Sequence, residues 1–321
     1  METTMTETMK AIQIHEFGGP EVLKLEDIPR PEPGPNEVLV RIHAAGVNPV
    51  DWKIREGKMG QIPLPSIMGV EFSGEVEVLG PEVMEFRVGE PVFGSVADAS
   101  GSYAEYALAP VAQIIEKPAV LDHVRAAALP VASMTAWQAL FDEAKLRKGQ
   151  KILIHAAAGG VGSFAVQFAK WKGAYVIGTA SGPNAHLVRR LGAHEFIDYR
   201  TTRFEDVVQE ADVVLDTIGG ETQARSWKVL KKGGVLVSIV QPPPEKVAAA
   251  HGARGVFMRQ DGTRTEELRQ IAELVGSGQI KVNVETILAL REARKAQELS
   301  QSGHAHGKIV LAIDPNAGVV L

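Results

Sequence analysis

The chain of 321 residues contains no cysteine. That absence excludes disulfide staples, thiolate nucleophiles and every cysteine-ligated zinc site. Nor does any apolar run approach the roughly 20 residues needed to cross a bilayer. Residues 1–10 are rich in threonine and glutamate rather than basic and then apolar, as a secretory leader would be, so a soluble cytoplasmic protein is expected, with Met9 near its structural start. Basic runs are missing too. The formal charge is −5 with both signs scattered, which leaves no footprint for a phosphate backbone, and neither nucleic acid nor membrane is an expected partner. There is no repeat of 20–50 residues and no low-complexity segment beyond a few prolines.

What is present begins with KILIH at 151–155 followed by AAAGGVG at 156–162. A buried strand runs into a tight glycine turn, and the turn opens a helix over 163–172 with apolar Phe164, Ala165, Phe168 and Ala169. Glycines let backbone approach a pyrophosphate, and the free N–H groups and positive end of the helix hold its charge. The G-x-G-x-x-G positions hold Ala157, Gly159 and Gly162, so the first glycine is absent. On its own such a turn can be a mere packing joint. Segments 174–178, 211–216 and 234–240 read as further buried strands, however, and this βα alternation specifies an α/β doubly wound parallel sheet of Rossmann type. The expected dinucleotide contacts are Ala158, Gly159, Gly160 and Val161 in the turn, with Thr179, Ile218 and Ile239 at strand ends. The second strand ends in Gly178-Thr179-Ala180-Ser181 without the carboxylate that binds a ribose 2′-hydroxyl, which favours NADPH over NADH. Ser181 and Asn184 can donate to a 2′-phosphate, and Arg200 adds charge.

Residues 10 to about 120 form short strands broken by turn residues, such as 37–42, 69–78 and 103–107, and predict a partly open β-barrel. An alanine-rich helical stretch, 124–141, is interrupted by Pro130. After the break at 242–244 the pattern predicts helices over 265–275 and 288–300 and strands over 280–284 and 308–312. The last strand completes a sheet of the first domain. A length of 321 residues suits two domains, each with its own core: a barrel from 1–124 and 266–321, and an inserted cofactor domain, 125–265. The ligand cleft is expected between them, covered by 241–258.

The segments AAGVNPVD (44–51), GVEFSG (69–74), GSYAEY (101–106), LPVASMTA (129–136), the 156–162 turn, LGAHEFIDY (191–199), DVVLDTIG (212–219) and GKIVL (307–311) come in a telling order. The chain resembles the zinc-free medium-chain dehydrogenases/reductases, above all the quinone oxidoreductase-like branch, over nearly its whole length. The resemblance implies a GroES-like barrel with an inserted Rossmann domain, NADPH as cofactor and a homodimer built through the Rossmann sheets. Zinc-dependent alcohol dehydrogenases of the superfamily bind their ion with a cysteine and a histidine. Val47-Asn48 and Val70 occupy those motif neighbourhoods here, so no metal is expected. His15, His43, His123 and His155 are isolated in sequence and are expected to be satisfied structural histidines; His304 and His306 lack a third ligand.

Without a Lewis acid an unactivated ketone is a difficult hydride acceptor. The expected substrate therefore carries its own electron sink: a quinone, or an enone or enal reduced at its alkene. Asn48 either donates to substrate or nicotinamide ribose or stabilises a turn; Asp51 either holds that network or does the same turn duty. Lys53 stands near a position where related reductases often carry a tyrosine thought to assist protonation, and is either an electrostatic stabiliser and proton donor or a surface lysine. By resemblance, the Thr135 hydroxyl approaches the nicotinamide and Tyr199 touches the adenosine phosphate, while Asn184 replaces a lysine frequent in related NADPH sites. Glu71 and Glu105 are expected to be paired acids, with Arg41 or Arg55 as partners. A non-catalytic NADPH-binding protein is the reading from another class.

Overall fold

The computed structural model describes residues 7–97 and 100–314. Its contacts divide into two units. One comprises the chain up to Val131, Gly262–Gly276 and the chain from Val282 onward; the other comprises Ala132–Asp261 and Ser277–Lys281.

In the first unit the chain forms β1 (Thr8–Ile14), β2 (Lys24–Pro29), β3 (Glu37–Val47), α1 (Pro49–Arg55), β4 (Ser66–Ile67), β5 (Glu71–Leu79), β6 (Pro91–Ser95), β7 (Tyr106–Pro110), β8 (Ile114–Glu116) and α2 (His123–Ala127). Helix α2 packs on β3 and β5. The crossing between units consequently falls after Val131 instead of at the expected 124/125.

Helix α3 (Pro130–Trp137) spans the boundary, and the second unit continues with β9 (Lys151–Ile154), α4 (Gly160–Trp171), β10 (Tyr175–Ala180), α5 (Ala185–Leu191), β11 (Glu195–Asp198), α6 (Phe204–Val207), β12 (Ala211–Asp216), α7 (Gly220–Ser226), β13 (Leu230–Ser238), α8 (Glu245–Ala250) and β14 (Arg254–Phe257). Its strands lie parallel in the order β11-β10-β9-β12-β13-β14. This is the Rossmann order 3-2-1-4-5-6, and the reversal of order between β9 and β12 is where such sheets take ligands. Leu153, Ile177, Val214 and Leu236 pack with Trp227 in its core. Within the segment expected as a cover, residues 245–250 form α8 and residues 254–257 form the edge strand β14, which pairs in register with β13.

The chain then returns to the first unit with α9 (Thr265–Gly276), β15 (Val284–Ala289), α10 (Ala293–Gln301) and β16 (Lys308–Ala312). Here the expected strand over 280–284 and helix over 288–300 are corrected. Lys281 is held by the Gln167 side chain and Asn283 by the His306 carbonyl. The strand therefore starts at Val284, where β-branched Val284, Thr286 and Ile287 pair in parallel with β16, and the helix waits until Ala293. The barrel unit contains a three-stranded sheet β2-β1-β4 and a seven-stranded one, β15-β16-β3-β5-β6-β8, with β7 also on β3. Strand β16 lies antiparallel to β3, pairing Ile309 with Val47.

The turn after β9 is pinned from both sides. His155 N–H donates to Leu215 O and Ala157 N–H to Thr179 O, while Gly159 N–H closes on Ala156 O at 2.9 Å. Ala156 takes a left-handed φ of 47°. Gly162 sits so tightly on this turn that a Cβ would collide with the Ala156 carbonyl oxygen, which is backbone and has no room to yield. Gly162→Ala is expected to cost about 1–3 kcal/mol of stability by overpacking, read as a lowered urea midpoint; an unchanged midpoint would show that the turn relaxes freely.

Candidate active site

The barrel unit gathers a buried polar cluster at the junction of β3 and α1. Pro49 starts α1 at its first position, where the missing N–H costs nothing, and Asn48 precedes it in extended conformation. The Asp51 Oδ2 atom reaches back to accept from the Asn48 backbone N–H at 2.7 Å, the acidic half of a capping box. Released from capping, the Asn48 amide turns inward. Its Nδ2 donates to Glu71 Oε1 at 2.7 Å, and its Oδ1 accepts from Lys308 Nζ at 2.5 Å. Lys308 also donates to Glu71 Oε1 at 2.7 Å, and the Val131 backbone N–H donates to Glu71 Oε2 at 2.7 Å. Asn48, Glu71 and Lys308 are all buried. A buried charge pair survives when its remaining lone pairs and protons are also satisfied, as they are for both Glu71 oxygens. Gly46 makes the approach possible, since a Cβ there would strike Glu71 Oε1.

Tyr103, fully buried, donates its hydroxyl to Asp51 Oδ2 at 2.8 Å. Burial pushes the Asp51 carboxyl up to about 7; the hydrogen bonds from Asn48 and Tyr103 pull it down, nearby Glu71 pushes it up, and Lys308 pulls it down. Burial and the adjacent Asp51 hold the Tyr103 hydroxyl well above its ordinary range. The cluster thus contains a fixed cation and a carboxyl that exchanges its proton near neutrality.

The expected partners of the two acids are corrected. Glu71 pairs with Lys308, whereas Arg41 faces Glu75, its register partner across β3 and β5, at 2.5 Å. Arg55 is spent on Gln297, Gln301 and the Gly18 carbonyl, and Glu105 accepts from the Lys10 backbone N–H. Lys308 and Tyr103 complete the cluster from within the GKIVL and GSYAEY segments, without being among the expected site residues. The available signal was a lysine opening an otherwise apolar strand, Lys308-Ile-Val-Leu, which needs a buried anion. Lys53 is half-buried on α1, outside this cluster, with its ammonium 5.6 Å from the Trp52 ring centroid.

In the Rossmann unit, Ala158, Gly159, Gly160 and Val161 form the entry to α4, whose first-turn N–H groups have no partner within the helix. The Thr179 hydroxyl meets His155 Nδ1 at 3.1 Å, and His155 Nε2 meets Ser226 at 2.9 Å. Burial lowers the His155 imidazole to about 4, so it is a neutral structural group. Ser181 Oγ accepts from Asn184 Nδ2 at 2.8 Å, and both residues are buried. Tyr199 is exposed, with the Arg200 guanidinium 5.9 Å from its ring. Asp216, fully buried, accepts from the N–H groups of Ile218 and Gly219 and from Gln223 and Ser238, and so sets the exposed Ile218 tip. Ile239 N–H donates to the Asp216 carbonyl, and Thr135 is buried in α3. The histidine expectation is corrected for His43, whose Nε2 is buried without a hydrogen-bond partner because Glu75 is drawn to Arg41.

Two family patterns match: "Alcohol dehydrogenase GroES-like domain" over residues 34–119 and "Zinc-binding dehydrogenase" over 191–311. A quinone oxidoreductase of Mus musculus is 35% identical, covering 95% of this chain and 98% of its own. The chain belongs to the quinone oxidoreductase-like branch of the medium-chain dehydrogenase/reductase family. It is an NAD(P)H-dependent oxidoreductase of that family. The quinone oxidoreductase of Coxiella burnetii superposes with a TM-score of 0.90 at 38% identity, covering 96% of this chain and 100% of that one. The Escherichia coli quinone oxidoreductase, solved with NADPH, gives 0.89 at 28% identity, covering 95% and 100%. Among the described residues no helix is long and apolar enough to cross a membrane.

Two outcomes follow from the cluster. Lys308→Met leaves the Glu71 charge buried and unpaired and is expected to cost about 3–5 kcal/mol, whereas Glu71→Gln with Lys308→Met is expected to regain most of it; equal urea midpoints for the single and double variants would refute the coupling. For Asp51, the folded carboxyl titrates near 7 and the unfolded one near 3.8, so between these values the folded state binds the extra proton. Stability from this group is therefore greatest below the unfolded value and falls as pH rises through 7. The Asp51→Asn variant is expected to lose less stability than wild type between pH 5 and 7.5, measured by urea denaturation at both.

Proposed function

We propose that this oxidoreductase transfers hydride from NADPH to a conjugated carbonyl acceptor, foremost a quinone, without a catalytic zinc ion. The observation that carries the reading is the saturation of the Asn48 cluster. Lys308 lies 2.7 Å from Glu71 Oε1 and 2.5 Å from Asn48 Oδ1, so the oxygens that could ligate an ion already serve an ammonium. With Val47 and Val70 beside them and no cysteine in the chain, this donor set does not fit zinc. An acceptor that spreads the incoming electron pair over its own π-system makes no demand for a Lewis acid.

In this reading NADPH supplies the hydride. Gly159, Gly160 and Val161 would hold its pyrophosphate at the start of α4, and Ser181, Asn184, Tyr199 and Arg200 its 2′-phosphate. The buried Asn48 amide keeps one N–H beyond the one given to Glu71 and would donate it to the acceptor oxygen, with Glu71, Lys308 and Asp51 fixing its orientation. Reduction of a quinone takes up one hydride and one proton and yields the hydroquinone, the proton coming from solvent. The relatives named quinone oxidoreductase support the choice of acceptor. The exposed backbone edge of β14 would join a second copy in a homodimer.

The test is steady-state turnover of quinones, enones and simple ketones with each nicotinamide, with products identified by mass. Quinone reduction preferring NADPH is expected, and Ser181→Asp, which sets a carboxylate against the 2′-phosphate, is expected to lower the NADPH/NADH ratio of kcat/KM at least about tenfold. A saturated carbonyl as main product would instead assign an alkene reductase. Ketone turnover lost on chelation and restored by zinc would overturn the zinc-free reading.

A further inference from the structure

Away from the Asn48 cluster, three side chains from three elements of the barrel unit converge: His43 on β3, Glu75 on β5 and His123 at the start of α2. One ligand atom from each lies within 4.8 Å of the others. We propose that they form a binding site for a divalent transition metal of the zinc class, a structural staple that takes no part in hydride transfer.

Each ring nitrogen has its own partner or lack of one. His43 Nδ1 lies 3.0 Å from Asp314 Oδ2, to which it donates. The other nitrogen, Nε2, is buried, without a hydrogen-bond partner and 3.6 Å from Glu75 Oε1, and in the neutral ring it carries the lone pair. In that form the lone pair and the Glu75 carboxylate face each other as two donor atoms for one cation. On the other side, Ser73 Oγ gives its proton to the Val92 carbonyl at 3.1 Å and therefore accepts from His123 Nδ1 at 2.8 Å. His123, too, keeps its lone pair on Nε2.

Both imidazoles are thus anchored through their outer nitrogen by a carboxylate or hydroxyl, the arrangement that orients metal-bound histidines. Two nitrogens and one oxygen suit zinc, cobalt, nickel or copper rather than calcium or magnesium, which take oxygen donors. The two rings stack, with centroids 4.3 Å apart and planes 22° from parallel. The Arg41 guanidinium holds Glu75 Oε2 at 2.5 Å, which leaves Oε1 to ligate singly. Arg41 and Lys117 are also like charges for the ion, so this is a site of moderate affinity, completed by water.

The experiment is zinc titration of untagged, chelator-treated full-length protein by calorimetry, repeated with cobalt by visible absorption. One zinc per chain is expected, with a raised melting temperature. His123→Gln and Glu75→Gln are each expected to weaken binding roughly tenfold or more while leaving quinone turnover and the metal-free melting temperature near wild type. The His304→Gln/His306→Gln double variant is expected to bind as wild type does. Absence of saturable binding to the wild type would overturn the proposal, as would binding that survives both single variants or vanishes with the His304/His306 pair.

Discussion

The ion pair between Lys308 and Glu71 constrains the barrel unit more than any other interaction. Each member is costly to bury alone, and each is satisfied only because the other and Asn48 are in place. The chain accordingly carries several features that have no meaning apart from this pair. Gly46 clears the space for the Glu71 carboxylate, the Val131 N–H caps its second oxygen, and the Asn48 amide bridges carboxylate and ammonium. Asp51 relieves Asn48 of capping duty by taking its backbone N–H.

An ammonium in this position acts as a resident cation that cannot be removed by chelation or exchanged. It fixes a positive potential beside the Asn48 amide without offering an open coordination site, and such preorganised electrostatics need no rearrangement during a reaction. Asp51 adds a second property. Its carboxyl, raised by burial, changes charge near neutrality two hydrogen bonds from the ammonium, so the potential at Asn48 depends on solvent pH. The Rossmann unit relies on another principle. Its glycine turn presents the unpaired backbone N–H groups of the start of α4, and Asp216, fully buried, shapes the Ile218 loop.

Much of this was legible in the sequence because the signals were local. KILIH-AAAGGVG gives strand, turn and helix within one stretch, and β12 and β16 fall at the expected 211–216 and 308–312. The errors arose where tertiary pairing overrides local pattern. Leu288 and Ala289 are helix formers that blend with the helix after them, yet their backbone pairs with β16. In the site, Asn48 and Asp51 stood out through turn chemistry three residues apart. Lys308 did not, because its partner lies 237 positions away and a single sequence carries no trace of such proximity. Charge partners chosen among nearby arginines failed for the same reason: strand register, invisible from composition, places Arg41 opposite Glu75.

The position of Lys308 has a bearing on how the molecule comes into being. Glu71 and Asn48 leave the ribosome long before β16, and the whole segment from Ala132 to Asp261 is made in between. Until that strand arrives and docks against β3, the carboxylate has no counter-ion and must stay hydrated or protonated. The nascent barrel is therefore kept open at its heart while the nucleotide-binding half, whose sheet needs nothing from the C-terminal strand, is free to fold first.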